Sequence, residues 1–344
     1  MEILTRLKKS ARILLKGEPQ QRGRGEIPAI TREEVAEIKQ FFPREKFFIF
    51  GHARSGTTLL MRLARLHPEV HCSYQAHFFT RRPLLKSLVD SAEAEEWLKR
   101  KSNRWNRGRD LSPLVLRAAA DFIMEREAAA EGKRIVGDKS PSSMIHGQAV
   151  RDLAAVYPDA KLVYIVRDGR DVLISERFRN LVEESKFLLP EDKRIVDELR
   201  RDPAAFTSGA RSIFTEAFIR RVAKGWVANL QEIEREGKRL FGRNYAAVRY
   251  EDLLEDPYEE MSRLWKFLGA KKNKRPAEKK IKAEMASNPD EEWQARRNEG
   301  IASFLPKGQA GNWQRLFTAR DKALFKEMAG EMLVKWKYAK DSDW

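Results

Sequence analysis

A four-residue apolar run, Phe47–Phe50, stands between the charged triplet Arg44-Glu45-Lys46 and Gly51. It reads as a buried strand. Leu59, Leu60, Leu63 and Leu66 then recur at helical spacing, and Pro68 stops the helix. Strand, tight loop and helix make half of a βαβ unit, and that half constrains the rest of the chain. Parallel strands need crossover helices, and the sheet they build is covered on both faces. Further buried-strand candidates follow at Val70–Ser73, Arg134–Gly137, Leu162–Arg167 and Ala246–Tyr250, with helical patterns between them. The expected architecture is α/β in three layers around a central parallel sheet of about five strands.

The loop Gly51-His52-Ala53-Arg54-Ser55-Gly56-Thr57-Thr58 joins the first strand to its helix. A glycine at each end of a six-residue span turns backbone N–H groups inward at the positive end of a helix dipole, which makes an anion cradle. A nucleotide-hydrolysing loop of this kind carries Lys next to the final Ser/Thr. Here that position is Thr57, and the positive charge stands three residues earlier, at Arg54. The loop still offers amides and the hydroxyls of Ser55, Thr57 and Thr58. Its cation stands at the mouth, where a bridging oxygen would sit. His52 is read as ordering the backbone.

A second block, Arg167-Asp168-Gly169-Arg170-Asp171, ends a strand and opens a helix that carries Ser175. Ligands of open α/β sheets bind at the carboxyl ends of strands, so Arg167 is placed to meet a second phosphate bidentately. Ser175 adds a hydroxyl. In Gly137-Asp138-Lys139-Ser140-Pro141, a strand end is followed by Ser140 as a helix N-cap and Pro141 at the first helical position.

These blocks, with Lys307-Gly308-x-x-Gly311-Asn312-Trp313 near the carboxyl end, resemble the sulfotransferases that use 3′-phosphoadenosine 5′-phosphosulfate (PAPS). The resemblance covers about residues 46–340. The first block is most similar to tyrosylprotein sulfotransferases and bacterial relatives; the last is more similar to the cytosolic enzymes. It implies a P-loop-containing nucleotide-binding fold and a sulfonyl transfer to a hydroxyl or amine, without metal. Arg54, Ser55, Gly56, Thr57 and Thr58 would hold the 5′-phosphosulfate, with Arg54 on the transferring group. Arg167 and Ser175 would take the 3′-phosphate, and Lys307 and Gly308 would close on it. Phe304 would pack near the adenine, Tyr250 near the cofactor, and Lys139 would stabilise the transition state.

Two departures stand out. Pro306 replaces an Arg common before the Lys-Gly pair, and Gln75 falls where tyrosylprotein enzymes have a Glu base. His77 and Asp138 are the candidate bases in its place. Strand alternation is expected to point Gln75 and His77 the same way.

Composition narrows the field further. Among 344 residues, 67 Lys and Arg against 51 Asp and Glu leave a net charge of +16, which suits an anionic partner. One Cys, Cys72, excludes an internal disulfide framework and reads as a small buried residue. No apolar run is long enough to span a membrane, and no secretory signal is recognisable, so a cytoplasmic enzyme is expected. The basic segment 1–17 reads as a helix packed on the body or a frayed terminus, with weak membrane-surface contact as the alternative. A linker follows, then a helix at Thr31 whose Glu34 completes a capping box. Residues 1–45 are thus an extension, and 46–340 a single domain with helical insertions at about 79–130 and 180–240 that would form lids or acceptor walls. The basic stretch 271–280 reads as a surface loop.

The acceptor itself is not legible, although Phe187, Leu188, Phe206, Phe214 and Phe218 are candidates for its pocket or for the core. Small-molecule or glycan acceptors are expected. Two rivals remain: a P-loop kinase or NTPase, for which Asp168 would be a Mg²⁺ ligand, and a basic nucleic-acid-binding protein. The first lacks its Lys, and the second lacks a recognisable module.

Overall fold

The computed structural model describes residues 27–81, 84–99, 106–142, 147–183, 188–271, 277–287, 309–341 and 344. Five strands form one sheet: β1 (Glu45–Gly51), β2 (Val70–Tyr74), β3 (Ile135–Lys139), β4 (Lys161–Val166) and β5 (Tyr245–Arg249). Their order is β2-β3-β1-β4-β5, and every neighbouring pair is parallel. All five expected strands are present, each within two residues of its predicted ends. Apolar runs buried on both faces leave little alternative to a central parallel sheet.

Each strand divides its side chains between two cores. Phe48 and Phe50 enter one, with Val136, Leu162, Tyr164 and Val166. Phe47 and Ile49 enter the other, with Val70, Cys72, Ile135, Val163 and Ile165. Each such buried apolar side chain contributes roughly 1.5–3 kcal/mol. The first core is covered by α3 (Ser112–Ala130), α4 (Gly147–Val156), α5 (Gly169–Glu183), α7 (Glu216–Phe241) and α9 (Ala319–Lys335). The second lies under α2 (Thr57–Ala64) and α8 (Pro257–Leu268). That is the expected three-layer arrangement. Helix α1 (Arg32–Lys39) begins at N-cap Thr31, and the Thr31–Glu34 capping box is formed. Helix α6 (Pro190–Arg201) precedes α7 in the second insertion.

Two sequence expectations are corrected. Ser140 caps no helix: residues 140–142 are not helical, and the described helix that follows, α4, begins at Gly147. The basic stretch at 271–280 is not wholly loop, because helix Glu278–Ala286 takes its end. Of the two readings left open for Leu188, Phe206, Phe214 and Phe218, the core holds: all four belong to the first core, with Phe206 and Phe214 each 1% exposed. Phe187 and residues 1–26 lie outside the described residues.

Candidate active site

The strand order decides where the chemistry gathers. β1 lies between β3 and β4, so the loop 51–58, Lys139 and Arg167 leave three neighbouring strands at the same end of the sheet. Adjacent strands are about 4.8 Å apart, which brings together residues more than a hundred positions apart in sequence.

The loop has the backbone the spacing implied. A Cβ on Gly51 would fall 2.7 Å from Thr57 Cγ2 and 2.8 Å from Ile165 Cγ2. Gly56 has φ 86°, and its Cβ would fall 2.2 Å from the Tyr250 ring. No side chain caps α2, so its first amides face the loop. Ser55 Oγ is buried and has no hydrogen-bond partner among the described residues. His52 orders the backbone as expected: its Nδ1 lies 2.8 Å from the Ala53 carbonyl oxygen, and burial lowers its pKa.

Two cations meet at this loop. Arg54 Nε donates to Ser175 Oγ at 3.0 Å. Arg167 donates to the carbonyl oxygens of Arg54 and Gln309, both at 3.0 Å, and its guanidinium lies 4.7 Å over Tyr250. Arg167 Nε is buried without a partner among the described residues. Buried donors that are unmade or aimed at neutral carbonyls suit an anion, whose charge makes the stronger acceptor. The residues therefore fit the phosphates of a nucleotide.

Lys139 forms the third corner. It has no exposed surface. Its Nζ donates to Thr58 Oγ1 at 3.2 Å and lies 3.7 Å from the centre of the Tyr74 ring. Strand alternation sends Asp138 to the opposite face. There its carboxylate accepts from Ala76 N at 2.9 Å and from the Ser140 hydroxyl, while His77 N donates to Ser140 Oγ at 2.8 Å. These bonds need a turn, not a continued strand. β2 ends at Tyr74, and Gln75 and His77 take positive φ of 57° and 53°. The expected strand alternation at Gln75 and His77 is therefore absent, because the chain wraps around Asp138 instead. Burial raises Asp138 to about 6. Burial, with Arg81 and Lys139 nearby, lowers His77 to about 4, and His77 Nδ1 pairs with Thr80 Oγ1 at 2.8 Å.

The second block splits into two roles. Asp168 has both carboxylate oxygens on Arg170, at 2.6–3.1 Å, which opposes the Mg²⁺-ligand reading. The Arg170 guanidinium also lies 3.7 Å from the centre of the Trp313 ring and 4.5 Å from that of Trp344, two rings set nearly perpendicular. Asp171 accepts from Gly311 N at 2.7 Å and Trp313 N at 3.2 Å, anchoring the carboxyl-terminal block on α5. Arg54, Ser55, Gly56, Thr57, Thr58, Arg167, Ser175 and Tyr250 are thus brought together, with Lys139 joined through Thr58. Phe304, Lys307 and Gly308 lie outside the described residues. Sequence reasoning missed Tyr74, which meets Lys139 only through strand pairing, and gave Ser140 a helix cap instead of its bond to Asp138.

The chain is similar to known proteins over part of its length. The model of the sulfotransferase family matches residues 46–200. That segment, a little under half of the chain, is what is similar to the family. It contains the loop, Lys139, Arg167 and Ser175. The chain is 32% identical over 125 residues to protein-tyrosine sulfotransferase A of Caenorhabditis elegans, covering 36% of this chain and 30% of that protein. It is 32% identical over 126 residues to the protein-tyrosine sulfotransferase of Drosophila melanogaster, covering 36% and 23%. The chain thus matches less than a third of either relative's length. A mouse sulfotransferase crystallised with PAP superposes with a TM-score of 0.45 at 18% identity, covering 88% of this chain and 89% of that one.

Proposed function

We propose that residues 46–340 form one PAPS-dependent sulfotransferase domain that moves a sulfonyl group to a hydroxyl or amine acceptor. The observation that carries this reading is the convergence of Arg54, Lys139 and Arg167 on three adjacent strand ends around a glycine-bounded loop. One cosubstrate with two separated anionic ends suits that spread. Arg167 and Ser175 would hold the 3′-phosphate. The loop amides, with Ser55, Thr57 and Thr58, would hold the 5′-phosphosulfate. Tyr250 would pack beside it, and Phe304, Lys307 and Gly308 would close over the nucleotide.

The S–O bond to the leaving phosphate breaks as a bond from the acceptor oxygen or nitrogen to sulfur forms. Charge grows on the leaving oxygen, and Arg54 and Lys139 would meet it there. The acceptor proton is assigned to Asp138. A base with a pKa near 6 works at neutral pH with more driving force than one near 4. His77 is the competitor, and the pH profile separates them.

Transfer of labelled sulfate from PAPS to a panel of alcohols, phenols, sugars and amines tests the reading, with Arg54→Ala as the comparison. Label should appear on at least one acceptor and fall sharply in the variant. A folded protein that does not bind 3′-phosphoadenosine 5′-phosphate refutes it. A cytosolic location belongs to the proposal, because Cys72 is buried, unpaired and in need of no oxidising compartment. No described helix is long and apolar enough to cross a membrane. A kinase or NTPase would instead bind ATP in preference to PAPS.

A further inference from the structure

A fully buried ammonium is costly unless its surroundings replace water. Lys139 has no exposed surface, yet it stands at the mouth of the site. Tyr74, which is 60% exposed, lies against the ammonium on one side. Tyr74 and Lys139 are Cα partners at the last rung between β2 and β3. In a parallel pair such partners project to the same face, so the ring is delivered onto the ammonium by the sheet itself. Immediately beyond, Gln75 N donates to Lys139 O at 2.8 Å and the chain turns away. One ring face covers Nζ at 3.7 Å, while Thr58 Oγ1 holds Nζ from the loop side.

We propose that Tyr74 is a positioning residue: its ring shields the Lys139 ammonium from bulk water and pins it against Thr58. The negative face of an aromatic ring attracts a cation most when water is excluded. A pinned, dry cation acts on developing charge more strongly than a solvated one. The catalytic part of this inference rests on the sulfotransferase reading; the shielding part does not.

The experiment is therefore double. Purified full-length protein is labelled with an amine-acylating reagent, and modification at Lys139 is followed by mass spectrometry in wild type, Tyr74→Ala, Tyr74→Phe and Tyr74→Leu. Lys139 should be protected in wild type and in Tyr74→Phe, and labelled about tenfold faster in Tyr74→Ala. Tyr74→Leu covers the amine without a π face and keeps the chain folded should alanine fail. Equal labelling of Lys139 in wild type, Tyr74→Ala and Tyr74→Leu overturns the proposal. In transfer assays Tyr74→Ala should lower kcat about tenfold, with KM for PAPS within about twofold, and Tyr74→Phe should restore kcat. A loss confined to KM, or one that phenylalanine does not restore, also overturns it. If no acceptor is sulfated by wild type, the functional reading fails while the labelling result still decides the role of Tyr74.

Discussion

The two ends of the sheet treat positive charge in opposite ways. At the amino end, Lys46 is 1% exposed in its side chain and pairs with Glu125 at 2.7 Å and Asp121 at 3.4 Å. Arg44 shares Glu125, and Arg117 pairs with Asp159 at 2.7 Å, which also takes Lys39. Tyr157 donates to Asp121 at 2.9 Å. Each of these cations faces a carboxylate, so the network is closed to further anions. At the carboxyl end, the partners of Arg167 include two carbonyls and a ring, with the Asp171 carboxylate nearby, those of Arg54 include a hydroxyl, and those of Lys139 a hydroxyl and a ring. A phosphate can displace a neutral dipole from an arginine; it cannot readily displace a buried carboxylate. On the proposed reading, the identity of the partner, more than burial, separates a structural cation from one that would bind a ligand.

Substitutions can break this contrast. The largest effect is expected from Lys46→Ala, which takes from buried Asp121 and Glu125 the cation they share and leaves them Arg117 and Arg44. Urea unfolding should show a loss of about 3–5 kcal/mol. Its PAP affinity, measured by calorimetry on the folded fraction, should match wild type. Arg54→Ala should do the reverse: kcat/KM for sulfonyl transfer falls about 10²–10³-fold, with the urea midpoint nearly unchanged.

Asp138→Asn sharpens the comparison, because it tests a buried carboxyl at the functional end. An ionised base makes the rate rise with pH through about 6, and the substitution should abolish that limb. The stability effect has the opposite sign. A carboxyl raised from 3.8 to about 6 keeps its proton in the folded state over a range where the unfolded chain has lost it. Stability therefore falls as pH rises from about 4 to 6, and the penalty remains above that window. At pH 7.5 the Asn variant should be more stable by up to about 3 kcal/mol, and the difference should vanish below pH 4.

The smallest effect is expected from Arg170→Lys. Arg170 sits at the carboxyl end but follows the amino-end rule, bound to Asp168. Stability should fall by about 1–2 kcal/mol as the bidentate geometry and its ring contacts are lost, with PAP affinity changed less than about threefold. A large affinity loss would show that partner identity does not sort these cations.

Much of this was legible in the chain. The apolar runs at Phe47–Phe50 and Leu162–Val166 declared their strands, and Gly51 and Gly56 declared the loop between them. Local patterns sufficed because each feature is a property of consecutive residues. The amino-end network was not legible: Lys46, Asp121, Glu125 and Asp159 are ordinary surface types until the fold brings them together. The turn at 75–77 was misread because its cause lies on another strand, in the carboxylate of Asp138. Ser140 was assigned to a helix by its neighbours, when its hydroxyl is taken by the same carboxylate.

The central position of β1 has one more consequence. Lys139, the loop and Arg167 come from segments about 30 to 115 residues apart, and no two of them are joined by a local hairpin. Their geometry exists only once β3 and β4 have both docked on β1. On the proposed function, an incompletely assembled chain would lack the full site, so nucleotide occupancy would report completion of the sheet's middle and, by mass action, reinforce it.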